Sequence, residues 1–199
     1  MPKQFLVFAN FVDRLNDRFG VLASWMVLIA VLVSTANALI RYGFNVSSNG
    51  WLEAQWYLFA GMVMFGAATT FRLNEHVRVD VLYALYPNRV RLWLDFWGGI
   101  VFFLPMTIII GYYSWEFFIT SVIQNETSSN PGGLIRWPVR GVITLGFFLL
   151  TLQGISEIIK RYAALTGMIQ MDPKYERPLQ WLAKIWWPPS CLGGWLYFY

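Results

Sequence analysis

Four long runs of this sequence contain no Asp, Glu, Lys, Arg or His: residues 19–40, 54–71, 96–115 and 141–156. Coiled as a helix, the 54–71 run rises about 27 Å at ~1.5 Å per residue. That is close to the ~30 Å hydrocarbon core of a bilayer. A surface helix of a soluble domain would interrupt such a run with charge on its outer face. Charged residues make up 13% of the chain, against about 25% in a typical soluble domain. These features predict an all-α integral membrane protein, a single membrane domain over residues 1–199. Its four transmembrane helices fall at about 20–40, 54–71, 96–115 and 137–156. The last starts at Trp137, with the Arg140 stem snorkelling to the interface.

The segments between the runs have their own grammar. In residues 4–18, Phe5, Phe8, Val12 and Leu15 recur at spacings of three and four, with Asp13, Arg14, Asp17 and Arg18 between them. This pattern predicts an amphipathic helix lying in the membrane interface ahead of the first span. The second connection is too apolar for a free loop and too charged for a span, and predicts a second interfacial helix at about 78–94. Pro105 should kink the third span, because it lacks an N–H and crowds the preceding turn. Ala23, Ala30, Ser34 and Asn37 on the first span, and Ala54, Gly61 and Ala68 on the second, offer small-residue faces for close helix packing. Residues 167–199 read as a cytoplasmic tail, basic at first and aromatic at the end.

Lys and Arg are distributed unevenly. Twelve fall in the N-terminal segment, the middle connection and the tail, and three in the two other loops. The positive-inside rule then puts the N and C termini in the cytoplasm. The basic residues sit in gaps between apolar runs, which is a membrane pattern; a nucleic-acid interface would cluster them on one face. One histidine, His76, and one cysteine, Cys191, are too few for a haem ligand pair or a zinc cluster. We expect no catalytic, cofactor-binding or metal residues in this chain. No nucleophile–base pair or phosphate-binding loop is evident, and the uncharged runs lack the midplane ionisable groups that carriers use.

The residues that remain as site candidates lie at span ends. Trp51 is an interfacial anchor or a partner contact. Glu53 begins the second span, either as a solvated end or in a contact with a partner. His76, Arg78 and Asp80 form a mixed-charge set just after that span, fixing the connection or pairing with a partner. Glu126 and the Pro131-Gly132-Gly133 turn shape the second outer loop or meet a partner there. Gln153 is placed to hydrogen-bond a neighbouring helix.

From Arg41 to Asp80 the sequence reads R-Y-x-F-N-x-S-S-x-G-W-x-E-A-Q-W-Y-L-F, then a Gly/Ala-rich span, then E-H-V-R-V-D. Further on come Glu126-x-Ser128, Pro131-Gly132-Gly133-Leu134, Trp137-Pro138 and Leu152-Gln153-Gly154-Ile155-Ser156-Glu157. Together these resemble the small membrane (DctQ-type) subunit of tripartite ATP-independent periplasmic (TRAP) transporters, with details most like the mannitol/chloroaromatic branch. The resemblance covers roughly residues 5–165. It implies a multi-pass protein of the bacterial inner membrane that scaffolds a large permease subunit. A periplasmic substrate-binding protein would deliver an organic acid, and a sodium gradient would drive its uptake. Sodium would bind the large subunit, so this chain would carry no cofactor. The other reading of the residues is an orphan four-span assembly or redox subunit.

Overall fold

The computed structural model describes residues 3–45, 48–73 and 86–168. His76, Arg78 and Asp80, the 78–85 part of the second interfacial helix, and tail residues 169–199 lie outside the described residues. What is described is helical: α1 (Lys3–Phe44), α2 (Asn49–Leu73), α3 (Asn88–Gly98), a π-helical turn (Gly99–Phe103), α4 (Leu104–Ile123) and α5 (Trp137–Leu165). Among the described residues the only extended pairing is an isolated bridge between Thr127 and Ile135.

Three helical stretches are long and apolar enough to cross a membrane: Gln4–Phe44, Arg89–Ile123 and Trp137–Leu165. Helix α2 covers the whole 54–71 run. Its apolar character is diluted by Gln55, Trp56 and Tyr57 at one end and by Thr69 and Thr70 at the other.

Two expectations about helix boundaries need correction. Residues 4–18 are not a separate helix: α1 runs unbroken for 42 residues. No proline falls between Lys3 and Phe44, and Gly20 is tolerated inside the helix because it lets the Thr69 side chain approach closely. The described part of the second interfacial helix also continues directly into the next span, through the π turn. There the Leu104 N–H bonds back to the Gly99 carbonyl. Pro105 offers no N–H, and its ring would crowd the Val101 carbonyl in a regular α-helix. The π turn widens the ladder just ahead of it.

Helix α5 is the hub. It packs against α1, α2, α3 and α4, while α1 and α2 pack against each other. The apolar core is small: Ala23, Phe65, Ala68 and Leu149, flanked by Leu15, Phe19, Met26, Val142 and Leu150. Close approach stands in for bulk. A Cβ on Gly146 would lie 2.6 Å from Met64 Cβ, and one on Gly154 would lie 2.6 Å from the Phe103 ring. With lipid outside, helices gain little from hiding apolar surface, so backbone proximity and interhelical hydrogen bonds do more of the joining. Of the expected small-residue faces, Ala23, Asn37, Gly61 and Ala68 are buried and Ser34 is exposed.

Candidate functional site in two polar layers

Among the described residues, two layers hold Glu53, Asn16, Gln153, Ser156, Glu157 and Arg161, the larger part of the buried polar side chains. The first surrounds Glu53, near the start of α2. The 124–136 loop begins where Asn125 takes a left-handed conformation (φ 44°) and turns again at Gly132 (φ 72°). Its two arms are tied by Ser128 N–H to Leu134 O (3.0 Å) and Arg136 N–H to Glu126 O (2.9 Å). The Glu53 carboxylate fills the loop. It accepts from the Leu134 N–H at 2.6 Å, the Asn130 amide at 2.9 Å and the Ser128 hydroxyl. Gly133 leaves the room, since a Cβ there would lie 2.9 Å from a Glu53 oxygen. Asn49 donates to the Pro131 carbonyl and the Tyr57 hydroxyl to the Ile135 carbonyl, both at 3.1 Å.

Glu53 is 4% exposed, which removes the solvated-end reading. It lies just outside the uncharged 54–71 run. The Ser128 hydroxyl, then the Leu134 N–H, then the Asn130 amide hold its pKa below the usual carboxylate value, because each hydrogen bond favours the charged form. Glu126 in the same loop accepts from Arg140 at 2.8 Å and Arg136 at 3.3 Å. The Arg140 guanidinium lies 3.6 Å from the centre of the Phe117 ring. Trp51 is half exposed.

The second layer joins α1, α2 and α5, and Gln153 is at its centre. Its amide oxygen accepts from Asn16 at 2.6 Å. Its amide nitrogen donates to Asp13 at 3.0 Å and to Glu157 at 3.3 Å. Ser156 donates to Asp13 and to the Ala9 carbonyl, both at 3.2 Å. The Lys160 ammonium lies between two carboxylates, 2.6 Å from Asp13 and 3.0 Å from Glu157. Thr69 of α2 donates to the Asn16 carbonyl at 2.9 Å, and Arg72 pairs with Asp17. Farther along α5, Arg161 reaches Asp95 of α3 at 3.5 Å. Asn16, Gln153 and Ser156 are all 0% exposed.

Of the sequence candidates, the structure brings Glu53 and Glu126 to the first layer and Gln153 to the second. Asp13, Asn16, Ser156, Glu157 and Lys160 were not foreseen. A usable signal existed: Gln153, Ser156, Glu157 and Lys160 follow the i, i+3, i+4, i+7 spacing of one helical face. Among the described residues no group of three His, Cys, Asp or Glu is placed to hold a metal. In the second layer a lysine already occupies the space between the carboxylates. The chemistry of both layers is fastening: helix to loop in one, helix to helix in the other.

Apolar helices fastened to one another by buried ion pairs and amides define a helical membrane protein. A family model described as "Tripartite ATP-independent periplasmic transporters, DctQ component" matches residues 10–164. The chain belongs to this family, whose members are transporter components and not enzymes. It is 33% identical over 125 residues to the C4-dicarboxylate TRAP transporter small permease protein DctQ of Vibrio cholerae, covering 61% of this chain and 52% of that protein. It is 34% identical over 74 residues to a provisionally named TRAP transporter small permease protein of Haemophilus influenzae, covering 37% and 44%. The matched part thus spans about half the length of each of these relatives. No solved structure matches the chain.

Proposed function

We propose that this chain is the small permease subunit of a TRAP transporter in a bacterial inner membrane. It crosses the bilayer four times, α2 included, with both termini in the cytoplasm. It scaffolds a large permease that takes up an organic acid, delivered by a periplasmic binding protein and driven by sodium. The Vibrio cholerae relative is named for a C4-dicarboxylate, which belongs to that substrate class. The observation that carries the scaffold role is the disposition of charge. Asp13, Glu53, Glu157, Lys160 and Arg161 are held by partners within the chain. A carrier site would instead present ionisable groups to a substrate path. The Glu53 loop is a rigid platform on the periplasmic face, suited to meeting the binding protein, and Trp51 anchors that face at the interface.

The test is affinity purification of the full chain from its native membranes in mild detergent, followed by mass spectrometry. Recovery of one large polytopic permease at about equal stoichiometry is the expected result. Recovery of the chain alone, or with a cofactor-bearing redox complex, would overturn the proposal.

A further inference from the structure

A groove of about 630 Å³ runs between α1 and α2. Gly20, Ser24 and Val27 line one wall, and Met62, Gly66 and Thr70 the other. Its hydroxyls are already spent on backbone carbonyls. Ser24 donates to Gly20 at 3.1 Å, Thr70 to Gly66 at 2.9 Å and Thr69 to Asn16 at 2.9 Å. A wall whose polar groups are satisfied can be covered by hydrocarbon without loss of hydrogen bonds.

The groove is charged at one end only. There Asp17 of α1 pairs with Arg72 of α2, at the limits of the uncharged runs 19–40 and 54–71. From Asp17 to Val27 the α1 wall rises about 15 Å, and so does the α2 wall from Arg72 to Met62. That is half of the ~30 Å hydrocarbon core, the depth of one leaflet. At the far end Met26 reaches across to α2: a Cβ on Gly61 would lie 2.6 Å from Met26 Sδ. A spanning helix of a partner would need a seat about 30 Å long. A groove one leaflet deep with one charged end matches an amphiphile of that leaflet.

The charged end is basic. Asp13 goes to Lys160 and Asp17 to Arg72, so the carboxylates beside Arg14 and Arg18 in the sequence are spent elsewhere. Arg14 and Arg18 remain exposed. At ~100° per residue they stand about 60° and 100° around α1 from Asp17, on the side of Val21, which also lines the groove. The Arg72 Nε is buried with no acceptor among the described residues. Three guanidinium groups against one carboxylate leave this end positive. Guanidinium groups bind phosphate through paired N–H bonds.

We infer that the α1–α2 groove binds an anionic phospholipid of one leaflet. Its phosphate sits at Arg14 and Arg18, beside the Asp17–Arg72 pair, and one acyl chain runs past Ser24 and Gly66. The inference rests on the reading of α2 as a span and is independent of which transporter the chain serves.

Photocrosslinking tests it. A diazirine-bearing residue replaces Ser24 in the groove, or the exposed Ser34 beyond it on α1, in the full-length chain. Each protein is reconstituted, with whatever co-purifies, in liposomes of equal parts phosphatidylethanolamine and phosphatidylglycerol. Adducts are read by mass spectrometry after irradiation. At position 24 phosphatidylglycerol adducts should exceed phosphatidylethanolamine adducts about fivefold, the factor for one engaged arginine. Arg14→Gln combined with Arg18→Gln should bring the two lipids to parity, and position 34 should show parity throughout. Parity at position 24 in the parent, or an excess that the arginine variant keeps, would overturn the inference. Peptide adducts at position 24 would put protein in the groove and also overturn it. Lipid adducts at position 34 alone would remove the site and leave the membrane reading standing. Absence of lipid adducts at both positions would remove the spanning reading itself, and the inference with it.

Discussion

The two polar layers use similar residue types for different tasks. In the first, one carboxylate collects donors from a single loop: a backbone N–H, an amide and a hydroxyl. Among the described residues no cation is bonded directly to it. In the second, carboxylates, amides and a lysine from two long helices interlock, and a threonine brings in a third. The Glu53 clamp uses neutral donors and can open without stranding a cation, while the Glu126 pairs to Arg136 and Arg140 still tie the loop to α5. A network that shares one lysine between two carboxylates cannot lose a member without stranding another charge. The lesson is that burial of polar groups has separate consequences for local shape and for helix assembly.

Four substitutions or conditions sharpen this contrast, in falling order of effect. Lys160→Met leaves Asp13 and Glu157 facing each other without their shared cation. Breaking a buried pair in this way costs about 3–5 kcal/mol, read as a large drop in unfolding midpoint in bicelles. Gln153→Leu strands the Asn16 amide and removes a donor from Asp13 and Glu157. The expected loss is about 1–3 kcal/mol, seen by the same assay, with the Glu53 loop unaffected. Gly133→Ala pushes a methyl against Ser128 and Glu53. The loop can shift outward, so the cost should be near 1 kcal/mol, with faster hydrogen exchange confined to residues 124–136.

The smallest effect is that of pH on the Glu53 layer. The folded pKa of Glu53 is depressed, so its contribution is complete above the ordinary carboxylate value of 4.5. It is lost as pH falls through the lower folded value. Hydrogen exchange at the Leu134 N–H, corrected for intrinsic rate, should rise only at acid pH. Glu53→Gln should show the raised exchange at neutral pH and flatten its pH dependence.

The charge-free runs located the helices well, because the cost of burying charge in lipid is large and local in sequence. The rule does not set the helix ends: α5 starts at Trp137, ahead of Arg140, and α2 runs from Asn49 to Leu73, past the 54–71 run on both sides. The second layer was hidden for a related reason. In residues 4–18 the helical pattern sets Asp13 among the polar positions. The structure turns it to Gln153 and Lys160, beside the buried Ala9, Val12 and Asn16, and leaves Phe5 and Phe8 exposed. When the surroundings are apolar, an amphipathic pattern no longer says which face is inside. The Glu53 clamp was hidden by distance in sequence, since its partners lie 75 to 81 residues away. Only its carboxylate at a span end was visible.

The most direct test of the account is a double-mutant cycle on Asp13→Asn and Lys160→Met. Unfolding free energies of the two single variants, the double variant and the parent would be measured in the same bicelles. The network account predicts strong coupling, with the double variant more stable than the sum of single losses implies by at least about 1 kcal/mol. Simple additivity of the two losses would contradict it: Asp13 and Lys160 would then be independent, and apolar packing would carry the α1–α5 contact.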